Sequence, residues 1–193
     1  MTLTVTPDPV LPEILHVRPL RRGDDRGWFC ETFNEAAFRT EGLPVHFVQD
    51  NHSRSAEAGT LRGMHYQAPP HGQGKLVRCV RGRMMDVIVD IRAGSERFGR
   101  HTAFEMSERD PLQVYVPEGF AHGFCTLEAG TEVIYKVTSY YMPSHDFGIA
   151  YDDPALRIDW PFAADRLVLS DRDRKHPRLS EAPKHFTFAG APA

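Results

Sequence analysis

Cysteine is scarce in this 193-residue chain: Cys30, Cys79 and Cys125 are the only three, an odd number with no C-x-x-C pair. That excludes a disulfide framework and fits a reduced, cytoplasmic protein. Charge of one sign is lacking too, because 23 basic residues face 26 acidic ones for a net −3. Bulk attraction to nucleic acid is therefore absent, although a local basic site for a small phosphate compound stays open. No apolar run approaches the roughly 20 residues of a membrane helix. The start, MTLTVTPDPVLPEI, lacks the basic and apolar regions of a signal peptide. Neither G-x-x-x-x-G-K-[ST] nor a G-x-G-x-x-G strand–helix signature is present, and no G-x-S-x-G elbow appears. Repeats and low-complexity tracts are missing, and the 15 prolines and 15 glycines are scattered as turn punctuation.

What remains is an ordinary globular balance, 41% hydrophobic and 25% charged, at a length suited to one domain with a sizeable core. Strand signals dominate. Lys75–Val80 and Met84–Ile91 are rich in Val, Ile and Leu, and Arg81-Gly82 between them predicts a hairpin turn. Pro111–Pro117 alternates Leu112, Val114 and Val116 against Gln113 and Tyr115. Thr131–Tyr141 places Val133, Tyr135, Val137, Ser139 and Tyr141 on one face of a strand. Glu128-Ala129-Gly130 reads as a turn between strands. Helix signals are few: Asn34 caps a short helix through Phe38 that Gly42 ends, and Ser170 caps a short turn. The chain after Pro177 reads as irregular, with Gly190–Ala193 frayed. Short strands with regular turns predict an all-β antiparallel sandwich or barrel.

Three stretches set polar residues into apolar or glycine-rich strands. In TLRGMHYQ, Arg62 and His65 are three apart, so a regular strand would point them to opposite faces. A bulge at Gly63 would bring both to one side. A surface arginine and a satisfied core histidine explain the pair equally well. In PEGFAHGF, His122 sits among glycines and apolar residues that allow close backbone approach and favour a neutral imidazole. A buried histidine bonded to a carbonyl is the bland alternative. Tyr135 and Tyr141 suit plain packing, yet a tyrosine in a closed pocket also serves as a proton donor. The 10 histidines raise the question of a metal, but the paired histidines of a β-barrel metal site are missing, since Tyr66 and Gln67 follow His65. No metal and no cofactor is expected. Cys125 reads as a packed thiol.

With these residues in view, the chain resembles the dTDP-4-dehydrorhamnose 3,5-epimerase family. The resemblance is carried by DDRGWFCE (24–31), FVQDN (47–51), LRGMHYQ (61–67), GKLV (74–77), DVIVDIR (86–92) and VPEGFAHGF (116–124), then by Tyr135-Lys136, Tyr141-Met-Pro143 and IDWP (158–161). These pieces run in order over about residues 15 to 180. The resemblance implies a single cupin-like jelly-roll domain over 1–193, with an amino-terminal arm at about 1–46, a core at about 47–160 and a carboxy-terminal segment at about 161–193. It implies a homodimer that works without metal. It makes His65 the general base, Asp173 the acid that orients it (Asp171 a weaker substitute), and Tyr135 the opposing proton donor. Lys75 and His122 fall near the sugar ketone and the reacting carbons. Arg26, Glu31, Gln49, Asn51 and Arg62 fall at nucleotide contacts, with Arg26 and Glu31 reaching across from the neighbouring subunit. Tyr141 becomes an aromatic beside the thymine or sugar, and Arg172 a phosphate contact. Asp146 stands where the family usually has glutamate, and Trp28 where phenylalanine is commoner.

The implied substrate is a dTDP-4-keto-6-deoxyhexose, whose C4 ketone acidifies the protons at C3 and C5. Inversion needs a base on one face, an acid on the other, and positive charge beside the oxygen. A mono-epimerase, an epimerase for another nucleotide sugar, and a non-catalytic sugar-nucleotide binder are the alternatives. Binding to nucleic acid or to a membrane is not expected.

Overall fold

The structure is a computed structural model that describes residues 3–188 and 190. The frayed end expected for Gly190–Ala193 therefore lies, Gly190 apart, outside the described residues. The strands are β1 (Leu3–Pro7), β2 (Leu15–Pro19), β3 (Arg21–Asp24), β4 (Gly27–Cys30), β5 (Gln49–Ser55), β6 (Leu61–Gln67) and β7 (Lys75–Arg81). They continue as β8 (Arg83–Asp90), β9 (His101–Ser107), β10 (Gln113–Val116), β11 (Phe120–Thr126), β12 (Thr131–Val137) and β13 (Asp146–Gly148). A six-stranded sheet runs β1-β2-β10-β7-β12-β5, and a five-stranded sheet runs β13-β6-β11-β8-β9. Every pairing within them is antiparallel. This is the cupin-like jelly roll.

The core lies between the sheets. Val77, Cys79, Val114 and Val133 from the first meet Met84, Ile88, Phe120 and Phe124 from the second. The second sheet is buried on its other face as well: Met64, Tyr66, Val87, Val89 and Ala121 pack against Ile149, Leu156 and Leu179 from the chain after β13. Burial on both faces explains why β11 is buried at all seven positions and β8 reads as a near-continuous apolar run.

The helix expected after Asn34 is α1 (Glu35–Thr40), whose first turn is capped by the Asn34 Oδ1 accepting from the Ala37 N–H at 3.1 Å. Six residues cannot hold a helix alone. Burial of Phe38 against Val17, Leu43 and Leu76 anchors it on the outside of the first sheet, worth roughly 1.5–3 kcal/mol.

Two expectations need correction. Lys75–Val80 and Met84–Ile91 do not form a hairpin: β7 pairs with β10 and β12, and β8 with β9 and β11. Arg81-Gly82 carries the chain from one sheet to the other, because Val77 and Cys79 must face Met84 and Ile88 across the core. Thr131–Tyr141 is also not one strand. β12 ends at Val137, and the following segment is held by side chains instead: Thr138 Oγ1 accepts from the Gly74 N–H, Gln73 donates to the Ser139 carbonyl at 2.7 Å, and Gln67 donates to the Tyr140 carbonyl at 2.9 Å.

Candidate active site

Gly63 makes the site possible. Along β6, Met64 and Tyr66 face the chain that follows β13, so alternation turns His65 inward and would turn Arg62 outward. The pairing with β11 shifts between His122↔His65 and Phe124↔Arg62, which places one extra residue in β6. Gly63 occupies that bulge at φ +138°. A Cβ there would lie 2.5 Å from Gly123 Cα. The bulge brings Arg62 and His65 to one cavity of about 320 Å3 between the sheets.

Nine of the thirteen expected site residues line this cavity. His65 and Arg62 come from β6 and His122 from β11, while Lys75 on β7 and Tyr135 on β12 come from the facing sheet. Tyr141, Asp146, Arg172 and Asp173 complete the lining, with Tyr141 and Arg172 the exposed members. The other four stand apart. Arg26 and Glu31 belong to the β3–β4 hairpin and its exit, where exposed Arg26 pairs only with Asp24. Gln49 accepts from the Tyr141 N–H at 3.1 Å and donates to Asn51 at 2.8 Å. Gln49 thus fixes the Tyr141 segment, and Gln49 and Asn51, opposite Val137 and Tyr135 on the inward face of the first sheet, lie outside the cavity lining.

His65 Nε2 lies 2.5 Å from Asp173 Oδ1, a charge-assisted contact that fixes the ring and leaves Nδ1 as the nitrogen not engaged by Asp173. Burial pushes the His65 pKa down and outweighs the opposing pull of Asp173, which favours the neutral imidazole. For Asp173, burial acts upward, but His176, His65 and the Ser170 hydroxyl outweigh it and hold the carboxyl well below its usual range. Asp171 is exposed and makes no such contact. The His122 ring is held the same way, Nε2 at 2.7 Å from Asp86 Oδ1, with Asp86 fully buried. Burial lowers the Lys75 pKa to about 8, against the pull of Asp146 and Asp86. Its ammonium lies 3.4 Å from the His65 carbonyl. Burial raises the Tyr135 pKa, which keeps the phenol protonated.

Within this lining, Asp146 Oδ2 accepts from Tyr141 Oη at 2.9 Å and from Arg172 Nη1 at 2.6 Å. The shorter aspartate thus holds the aromatic and the arginine in place. Three cations, Arg62, Lys75 and Arg172, line one cavity and suit a diphosphate-bearing ligand. His65, Asp173 and His176 are the one described group able to offer a metal three ligand atoms, all within 4.8 Å. A metal there would occupy the nitrogen that already bonds Asp173.

Asp86 and Gln67 escaped the sequence reading, and Ser170 enters it only as a turn cap, without its bearing on Asp173. The signal for Asp86 was an acidic residue inside MMDVIVD, where an unpaired carboxylate would be too costly to bury. Ser170 Oγ accepts from the Asp173 N–H at 3.1 Å. Gln67 accepts from the Met142 N–H at 2.8 Å while donating to Tyr140. No spacing along the chain reveals that last bridge.

The family described as dTDP-4-dehydrorhamnose 3,5-epimerase matches residues 9–181. The dTDP-4-dehydrorhamnose 3,5-epimerase of Sinorhizobium fredii is 47% identical over 178 residues, 92% of this chain and 91% of that protein. The enzyme of that name from Bacillus anthracis, solved with TDP and PPi bound, is 43% identical with a TM-score of 0.87, covering 91% of this chain and 99% of that one. The dTDP-6-deoxy-D-glucose-3,5-epimerase of Legionella pneumophila, solved with dTDP-4-keto-L-rhamnose, is 38% identical with a TM-score of 0.91, covering 97% and 100%.

Proposed function

Because this chain belongs to the dTDP-4-dehydrorhamnose 3,5-epimerase family, we propose that it inverts C3 and C5 of dTDP-4-dehydro-6-deoxy-D-glucose to give dTDP-4-dehydro-L-rhamnose, a step of L-rhamnose synthesis. One observation carries the chemistry: His65 and Tyr135 enter the same cavity from opposite sheets. A sugar held between the sheets meets a base on one face and an acid on the other, which is what inversion requires.

His65 Nδ1 takes the proton from the carbon beside the C4 ketone, and the C–H electron pair moves onto O4 as an enolate. The Lys75 ammonium stabilises that oxygen, and the low polarity around it strengthens the effect. Tyr135 gives its phenolic proton to the opposite face of the carbon as the enolate collapses. The imidazolium loses its proton to solvent and the phenolate regains one, so the pair is reset for the second carbon. Asp173 keeps His65 in one tautomer and stabilises the imidazolium. Asp86 holds the His122 ring in place beside the reacting carbons. Arg62 and Arg172 hold the diphosphate, whose binding energy positions the sugar, and Tyr141 lies against the thymine or sugar. No metal enters, since Lys75 supplies the positive charge.

The working unit in this reading is a cytoplasmic homodimer built from one cupin-like domain per chain. The β3–β4 hairpin is the arm, and its Arg26 and Glu31 complete the nucleotide site of the neighbouring subunit, with Gln49 and Asn51 beside it. Support comes from the hairpin's exposed aromatic tip, Trp28 and Phe29, at 61% and 71% exposure. No helix among the described residues is long and apolar enough to cross a membrane.

Incubation with dTDP-4-keto-6-deoxyglucose in deuterated water, followed by NMR, tests the reading. The expected product has L-rhamno configuration with deuterium at both C3 and C5. Deuterium and inversion at one carbon would make the protein a mono-epimerase. Tight binding with no exchange would make it a sugar-nucleotide binder.

A further inference from the structure

Asp173 has two histidine neighbours, and the mechanism above uses only one. His176, three residues further on, lies with Nε2 3.5 Å from the same Oδ1 that contacts His65. Its side chain is 91% buried on the 9% exposure it keeps. Its Nε2 makes no hydrogen bond of ordinary geometry among the described residues. The ring stands edge-to-face against His65, with centroids 5.4 Å apart. The space it fills is made by Gly148 of β13: a Cβ there would fall 2.5 Å from both Nε2 and Cε1 of His176. A buried nitrogen left without a good partner is costly. Its one ion-pair contact among the described residues is the carboxylate that orients the base.

We propose that His176 is a positioning residue of the catalytic base, sharing the Asp173 carboxylate oxygen with His65 and so limiting how much of that negative charge the His65 imidazolium receives. This inference rests on the assignment of His65 as the base. The physical logic concerns the resting enzyme. A base must be unprotonated when substrate arrives, yet a carboxylate at 2.5 Å favours its protonated form. A second N–H on the same oxygen spends part of its acceptor capacity and offsets that pull. The other charged groups bearing on the cluster are Lys75 of β7 and Asp146 of β13, the latter paired with Arg172. Both sit on the cavity side. His176 acts from behind the carboxylate, where substrate does not reach, and it brings no fixed charge when neutral.

Two substitutions separate this role from plain packing. His176→Phe keeps a ring against Gly148 and removes the N–H. His176→Gln keeps an N–H of similar reach. The readouts are the acid limb of kcat/KM against pH, and the titration of the His65 ring by NMR without substrate. In His176→Phe the limb and the His65 titration both move to higher pH, by about half a unit or more. His176→Gln stays near the parent. Gly148→Ala, which pushes the ring away from Asp173, moves in the same direction as His176→Phe and decides the matter if that variant does not fold. An unmoved or lowered limb and titration in His176→Phe overturn the proposal. So does an equal shift in His176→Gln. If the parent shows no epimerisation at all, the functional reading fails, while the NMR titration of His65 still tests His176.

Discussion

At the scale of single residues, the site is two imidazoles held by two carboxylates and faced by a phenol and an ammonium. The residue types were legible in the sequence because they break the pattern of their strands: a histidine between glycines in PEGFAHGF, a histidine inside LRGMHYQ. Their partners were less so. Asp173 stands 108 positions from His65, and only the family resemblance joined them. Asp86 was visible as an acid in an apolar run, but its bond to His122 depends on β8 and β11 being neighbours, which spacing does not reveal. The division of labour between base and acid gives a sharp expectation. Tyr135→Phe keeps the packing of the ring against the core and removes the proton that must reach the far face. Inversion then falls about 100-fold or more, the ordinary worth of a positioned general acid. His65 still forms the enolate and returns a proton to the face it came from, so ring protons continue to exchange with solvent deuterium. His65→Asn loses exchange and inversion together. Inversion by Tyr135→Phe near the parental rate would remove Tyr135 from the acid role and turn attention to Tyr141.

At the scale of elements, alternation located strands well and paired them badly. β7, β8, β10 and β12 lie close to the predicted segments, because an apolar–polar period of two is set locally. Sheet membership is set by the core, and the Arg81-Gly82 link therefore crosses between sheets where a hairpin was expected. The segment after β12 shows the same limit: tyrosines at even spacing continue the strand pattern, yet Gln49, Gln67 and Gln73 draw residues 139–142 out of the sheet. The β6 bulge was legible in advance, since Gly63 between Arg62 and His65 is the residue that permits it. Gly63→Ala tests its weight. The side chain would meet the Gly123 backbone at 2.5 Å and sit at φ +138°, so the bulge must relax. A strained position of this kind costs about 2–3 kcal/mol, which lowers the Tm by roughly 4–10 °C for a chain of this size. A calorimetric scan reads that loss, and the rate falls with it as Arg62 and His65 separate. An unchanged Tm would mean that the two strands yield freely at this point.

At the scale of the whole molecule, the cavity between the sheets gathers the proposed catalytic residues, and the hairpin of β3 and β4 contributes nothing to its lining. Its residues pack on little of their own chain. Arg21 lies over the Trp28 ring at 4.0 Å, Phe29 is open to solvent, and Arg26 finds only Asp24, two positions away. Apolar surface of this sort is usually covered by a partner, and the arm proposed for the dimer would cover it while carrying Arg26 to the neighbour's nucleotide. Complementation between two inactive subunits tests that arrangement directly. Arg26→Ala spoils the arm and leaves the base. His65→Ala spoils the base and leaves the arm. In a mixed dimer, one site joins the His65 of the first chain to the arm of the second and is intact; the other site lacks both. Random mixing at equal amounts restores about a quarter of the parental sites, as two-fold symmetry requires. The assay is turnover of the mixture after subunit exchange, with the exchange itself followed by native mass spectrometry. Activity well above the sum of the separate variants is the expected result. If mixed dimers form and no activity returns, each chain builds its site from its own residues, and the exposed hairpin serves only to hold the subunits together.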